Sequence, residues 1–155
     1  MARLEAGDAA PDFSLQDADG STVSLADLAG STTILYFYPK DDTTGCTAEA
    51  CEFRDRAPDY DAAGARVIGV SPDPVASHVR FRDKYGLPFT LLSDPDHETA
   101  EAYGVWVEKS MSGRTYMGVE RSTFVIGPDG AITQALYKVK PKGHAENVLA
   151  LLGGG

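Results

Sequence analysis

The sequence predicts an α/β fold: a central mixed β-sheet flanked by helices, with a β-hairpin extension at the N-terminus. Three observations predict it. Residues 32–38, TTILYFY, are apolar and β-rich without alternation, the mark of a strand buried on both faces of a sheet. Strand-like runs then alternate with segments of helical periodicity, which is how parallel crossovers are built. Near the end, residues 123–126 and 131–137 flank GPDG, a turn sequence between antiparallel strands, and a helix with apolar positions Ala145, Val148, Leu149 and Leu152 follows.

Taken in order, residues 13–16 alternate, break at DADG and resume at residues 22–25, which reads as the N-terminal hairpin. The acids of that turn lack the spacing of a calcium loop. Ser24 offers an N-cap, and Gly30 a stop, for a short helical turn. After the central strand comes a helix carrying both cysteines, which Pro58 ends or kinks, with residues 59–63 forming a further turn before Gly64. Residues 66–70 make the next strand. Ser71-Pro-Asp-Pro then leads into a helix over residues 75–85, stopped by Gly86. Residues 89–92 read as a short strand and 97–103 as a short helix. Residues 105–108 and 115–118 flank Ser112-Gly113 and form an exposed hairpin or loop pair. The terminal glycines are expected to fray. The core order is therefore β-α-β-α-β-β-α, with an N-terminal hairpin and an insertion between the second core helix and the third core strand. That order describes a thioredoxin-like sheet.

At 155 residues and 43% apolar content, the chain fits a single domain over residues 1–155 with one sizeable core. Lys and Arg number 14 against 23 Asp and Glu, so the formal charge is −9. Nucleic-acid and acidic-membrane binding need the opposite sign. No apolar run is long enough for a signal peptide or a membrane span, which points to a cytoplasmic protein. There is no GxxxxGK or GxGxxG phosphate loop. His78, His97 and His144 stand apart from the cysteines with no ligand spacing, so no metal is expected and each reads as a surface or cap residue.

The chemistry concentrates in residues 36–54, YFYPKDDTTGCTAEACEFR, which hold both cysteines of the chain. Thr43-Thr44-Gly45 supplies small, turn-compatible residues, and TAEACEFR has helix formers, with Ala50, Phe53 and, just beyond it, Ala57 at helical spacing. Cys46 therefore sits in the first helical turn. Backbone N–H groups there have no intrahelical partner and form the positive end of the dipole, which favours a thiolate over a thiol. A thiolate is a competent nucleophile. A small buried hydrophobe is the alternative reading of Cys46, and a core thiol beside Ala50 and Phe53 that of Cys51. In a reducing compartment a C-x4-C pair is catalytic or metal-binding rather than a permanent staple. If both cysteines are helical, five residues separate their Cα atoms by about 8–9 Å. That exceeds the roughly 7 Å that a disulfide spans without backbone movement. The pair can join only if the first turns of the helix unwind.

The run Pro39-Lys-Asp-Asp-Thr43-Thr-Gly-Cys46 resembles the PxxxTxxC signature of the peroxiredoxins, and Cys51 resembles the bacterioferritin comigratory protein, or PrxQ, branch of that family. APDFSLQDADG, VIGVSPD, TLLSD, YGVW, ERSTFVI and GPDG extend the resemblance over residues 5–152. Pro58 departs from it, since the family usually continues there with a non-proline residue. The resemblance implies a thioredoxin-like fold and a thiol peroxidase. Cys46 would attack the peroxide, whether hydrogen peroxide or an alkyl hydroperoxide, and become a sulfenic acid. Arg121 would bring its guanidinium to the sulfur from a neighbouring strand, a task for which its fork of donors suits it better than lysine. Thr43 and the Cys46 amide would hold the peroxide, and Pro39 would shape the loop that shields the sulfur. Glu49 matches a family position too, and either hydrogen-bonds within the first helical turn or lies on a solvated face. Cys51 would close an intramolecular disulfide, reduced in turn by thioredoxin or a similar dithiol.

No flavin, haem or metal is needed for this chemistry. Because the bond closes within one chain, a monomer suffices. A neutral peroxide is compatible with an anionic surface. Trp106 reads as packing. Two other classes fit the same cysteine pair: a thioredoxin-like disulfide reductase or redox sensor without peroxidase turnover, and a non-catalytic domain with both thiols buried.

Overall fold

The structure, a computed structural model, describes residues 3–153. Strands β1 (Ser14–Asp17) and β2 (Thr22–Ser24) form the expected hairpin, and a 3-10 turn over Leu25–Leu28 follows, with Ser24 and Asp27 making a capping box. Then come β3 (Thr32–Phe37), α1 (Thr44–Asp55), α2 (Ala57–Ala62), β4 (Ala65–Ser71), α3 (Val75–Tyr85), β5 (Thr90–Ser93) and α4 (Glu98–Ala102). The chain closes with β6 (Trp106–Met111), β7 (Arg114–Val119), β8 (Ser122–Ile126), β9 (Ile132–Leu136) and α5 (His144–Gly153). Gly154 and Gly155, for which fraying is expected, lie outside the described residues.

One seven-stranded sheet runs in the order β2-β1-β5-β4-β3-β8-β9. Strand β3 lies parallel to β4 and antiparallel to β8, so it is central, as its unbroken apolar run requires. Its side chains, with Tyr38 just past its end, serve both faces in turn. Ile34, Tyr36 and Tyr38 join Phe53, Tyr60, Phe81 and Val148 under α1, α2, α3 and α5. Leu35 and Phe37 join Phe13, Leu28, Tyr103 and Phe124 on the other face, under α4 and the N-terminal segment.

Two features differ from the sequence expectation, and one open alternative is decided. Strand β5 belongs to the central sheet rather than to an insertion: it pairs parallel to β4 and antiparallel to β1, and so ties the N-terminal hairpin into the sheet. A four-residue strand carries too little pattern to show which edge it joins. Strands β6 and β7 form a separate two-stranded sheet, the hairpin form of the two alternatives. Pro58 neither kinks α1 nor ends it directly. The helix stops at Asp55, and Pro58 sits in the first turn of α2, where its missing N–H costs nothing. Helix α3 does end at Gly86, in a left-handed conformation with φ 61°.

Candidate active site

At the carboxyl edge of the parallel strands, Tyr38 N–H still bonds Val70 O at 3.0 Å, and Pro39 then takes the chain out of the sheet. Open α/β sheets place their chemistry at this edge. Thr43 is the N-cap of α1, with φ −90° and ψ 160°. The helical ladder opens with Thr47 N–H on Thr43 O at 2.8 Å, so the amides of Thr44, Gly45 and Cys46 precede it. No acidic residue lies in that first turn, and the positive end of the helix is left uncompensated beside the sulfur. Cys46 is 2% exposed.

Arg121 completes the site from the neighbouring strand. Phe37 pairs with Ser122, so the residue before Ser122 lies just past the end of β3, over the start of α1. Its Nη2 donates to Cys46 Sγ at 3.2 Å and its Nη1 to Glu49 Oε1 at 2.6 Å. Both arms of the guanidinium are used, which a lysine could not reproduce. Gly45 makes the approach possible: a Cβ there would stand 3.2 Å from Arg121 Nη2 and 3.4 Å from Pro141 Cγ.

Glu49 is not on a solvated face, nor does it bond within its own turn. It is wholly buried, and burial pushes its carboxyl up to about 7, against the opposing pull of Arg121. Its Oε2 has no partner among the described residues. Lys109, half-buried on β6, also borders the site and carried no signal in the sequence. Burial and then the Arg121 charge draw its pKa down, while Cys46 acts the other way.

Thr43 is placed at the site, but its hydroxyl faces elsewhere. The side chain is exposed and donates to Lys40 O at 3.0 Å; among the described residues it bonds neither the sulfur nor a helix amide. Pro39, which opens the loop, is half-buried. Cys51 is a free, half-buried thiol on the same helix as Cys46, so the structure holds the folded dithiol form. Trp106 packs, with its ring stacked on His97 at 4.0 Å. Two of the three histidines are not surface residues. His78 is fully buried, and His144 is 5% exposed with Nε2 at 2.7 Å from Thr123 Oγ1. Nothing in their sequence spacing distinguishes a buried, bonded imidazole from an exposed one.

Residues 6–135 match the AhpC/TSA family. A putative peroxiredoxin of Mycobacterium tuberculosis is 54% identical over 142 residues, covering 92% of this chain and 90% of that protein. Peroxiredoxin Bcp of Bacillus subtilis is 47% identical over 149 residues, covering 96% and 95%. Among solved structures, a Xylella fastidiosa PrxQ superposes with a TM-score of 0.93 at 38% identity, covering 99% of this chain and 98% of that one. The Xanthomonas campestris bacterioferritin comigratory protein, whose structure is described in terms of alkyl peroxide reduction, gives 0.87 at 44% identity, covering 92% and 90%. The solved structures among these share the thioredoxin-like sheet. The chain belongs to the AhpC/TSA family, as a peroxiredoxin of the Bcp/PrxQ kind.

Proposed function

We propose that this chain reduces hydrogen peroxide and alkyl hydroperoxides through Cys46, with Cys51 as the resolving thiol. The observation that carries the reading is Arg121 Nη2 at 3.2 Å from Cys46 Sγ, at the open amino end of α1. A guanidinium and free amides can stabilise negative charge on the sulfur, and then on the peroxide oxygens as the O–O bond breaks. The Cys46 thiolate attacks one peroxide oxygen; the S–O bond forms, the O–O bond breaks, and the other oxygen leaves as water or an alcohol after taking a proton. Sulfur becomes sulfenic acid. The Cys51 thiolate then attacks that sulfur and displaces hydroxide, which leaves as water, and a Cys46–Cys51 disulfide remains. Both thiols lie on one continuous helix, so this second step requires α1 to unwind locally.

An external dithiol such as thioredoxin returns the pair to thiols. The cycle closes within one chain, so a monomer is sufficient. Pro39 and Thr43 shape the entrance, and the freely rotating Thr43 hydroxyl can turn from Lys40 O to an entering peroxide. Among the described residues no helix is long and apolar enough to cross a membrane, and the proposed setting is the cytoplasm, whose reducing thiols would serve the cycle. Intact mass after one equivalent of peroxide tests the reading. Wild type should lose two hydrogens, and Cys51→Ser should gain one oxygen. A wild-type mass that does not change would refute it.

A further inference from the structure

Immediately before Thr43, two consecutive aspartates grip α3. Asp41 is 7% exposed, and its carboxylate accepts from Tyr38 Oη at 2.6 Å and Ser77 Oγ at 2.8 Å, with His78 Nδ1 at 2.7 Å. Its own N–H donates to Asp73 Oδ2 at 2.7 Å, and Asp73 also accepts from Ser71 Oγ at 2.7 Å. His78 Nε2 lies 2.9 Å from Leu92 O, which ties the cluster to β5. Asp42 holds the opposite end of the same helix, accepting from Tyr85 Oη at 2.6 Å and Lys84 Nζ at 2.8 Å. Ser77 and His78 lie in the first turns of α3, Lys84 and Tyr85 in its last. Asp42 itself adopts φ 58°, a conformation that persists only where the surroundings impose it.

One residue further on, the restraints stop. The Thr43 side chain is exposed and bonds only back to Lys40, while its carbonyl already belongs to the ladder of α1. We propose that Asp41 and Asp42 are positioning residues that staple the cysteine-bearing loop to both ends of α3. The unwinding that brings Cys51 to Cys46 then begins at Thr43 and leaves residues 38–42 in place. The physical advantage lies in the return. Starting a helix is costly because several residues must be ordered for the first hydrogen bond. A loop that never leaves α3 keeps residues 38–42 placed next to Thr43, so reduction of the disulfide lets α1 rebuild from a fixed point, with Cys46 delivered again beneath Arg121.

The proposal rests on the Cys46–Cys51 disulfide put forward above, and amide hydrogen exchange on the wild-type chain, reduced and peroxide-oxidised, tests the two separately. The Asp41 amide, bonded to Asp73, should stay protected in both forms, while amides 47–51 lose protection on oxidation. If no disulfide forms, the underlying reading fails. If it forms and the Asp41 amide loses protection together with α1, the staple alone fails. Stopped-flow kinetics supply the second readout. Asp41→Asn should slow Cys46 oxidation by about tenfold or more through misplacement of the sulfur, without slowing disulfide closure from the sulfenic acid. Asp42→Asn, at the exposed end, should show the same split more weakly. Equal slowing of both steps, or of neither, overturns the proposal.

Discussion

Arg121 spans two acceptors of different character with one planar group, a sulfur and a buried carboxylate. Replacing it with lysine keeps the charge but loses the rigid planar fork that aims one nitrogen at Cys46 and another at Glu49. Arg121→Lys should lower the second-order rate of Cys46 oxidation by about 10²–10³, the usual cost of losing one aligned transition-state donor. Stopped-flow fluorescence or competition against a reference thiol measures it. Glu49 adds a pH dependence whose sign follows from its burial. Its carboxyl titrates at about 7 in the folded chain against 4.5 ordinarily, so the folded state binds the extra proton between those values. Stability should therefore be greatest below about pH 4.5 as far as this residue is concerned, and should fall as the pH rises through about 7. Denaturant unfolding across that window, compared with Glu49→Gln, isolates the contribution: the variant should lack the decline.

Helix α1 must be firm enough to present Cys46 and loose enough to release it. Its far side is clamped to the start of α5, through Gly143 N–H on Glu52 Oε1 at 2.8 Å, and α2 grips that same end of α5 through Tyr60 Oη on Ala145 O at 2.6 Å. His144, at the start of α5, is held neutral by burial and by the Arg121 charge, with its pKa drawn down to about 4. Gly45 is where helix strength and site geometry conflict. Gly45→Ala would improve the helix by up to about 1 kcal/mol by propensity alone. Its new Cβ would also crowd Arg121 Nη2 at 3.2 Å. Both effects point the same way in kinetics: oxidation slows because the guanidinium is displaced, and disulfide closure slows because the helix resists unwinding. Rapid-mixing mass spectrometry of the sulfenic acid and disulfide separates the two rates, and a Gly45→Ala chain with unaltered rates would contradict this account.

Across the whole molecule, the site depends on a sheet packed on both faces. Tyr36 stacks on Phe53 at 4.8 Å and on Tyr38 at 5.4 Å, directly beneath the helix that carries the cysteines. Its ring fills the space over Gly69 on β4, where a Cβ would stand 2.9 Å from both Cζ and Oη. A wholly buried aromatic cluster cannot yield that distance cheaply. Gly69→Ala should destabilise the fold by about 1–3 kcal/mol through overpacking. A urea midpoint shows it, and peroxidase activity per folded molecule should fall as well, because Tyr36 carries α1. An unchanged midpoint would mean that Tyr36 can move aside.

By itself the sequence determined the alternation of strands and helices, the central place of TTILYFY, the stop of α3 at Gly86 and the position of Cys46 at a helix start. These follow from periodicity, caps and breakers, all carried by residues near one another in the chain. It also brought Cys46, Cys51, Arg121, Pro39, Thr43 and Glu49 forward through local motifs. What only the tertiary structure decided is which distant groups meet. The burial of Glu49 and its bond to Arg121, 72 residues away, the room that Gly45 leaves for that guanidinium, and the packing of Tyr36 over Gly69 all depend on β8 and β4 flanking β3. So do the enclosed His78 and the pairing of β5 with β1. The physical reason is that an apolar pattern states how deeply a residue wishes to be buried, whereas a polar side chain is settled by whichever partner the assembled sheet places within hydrogen-bonding reach.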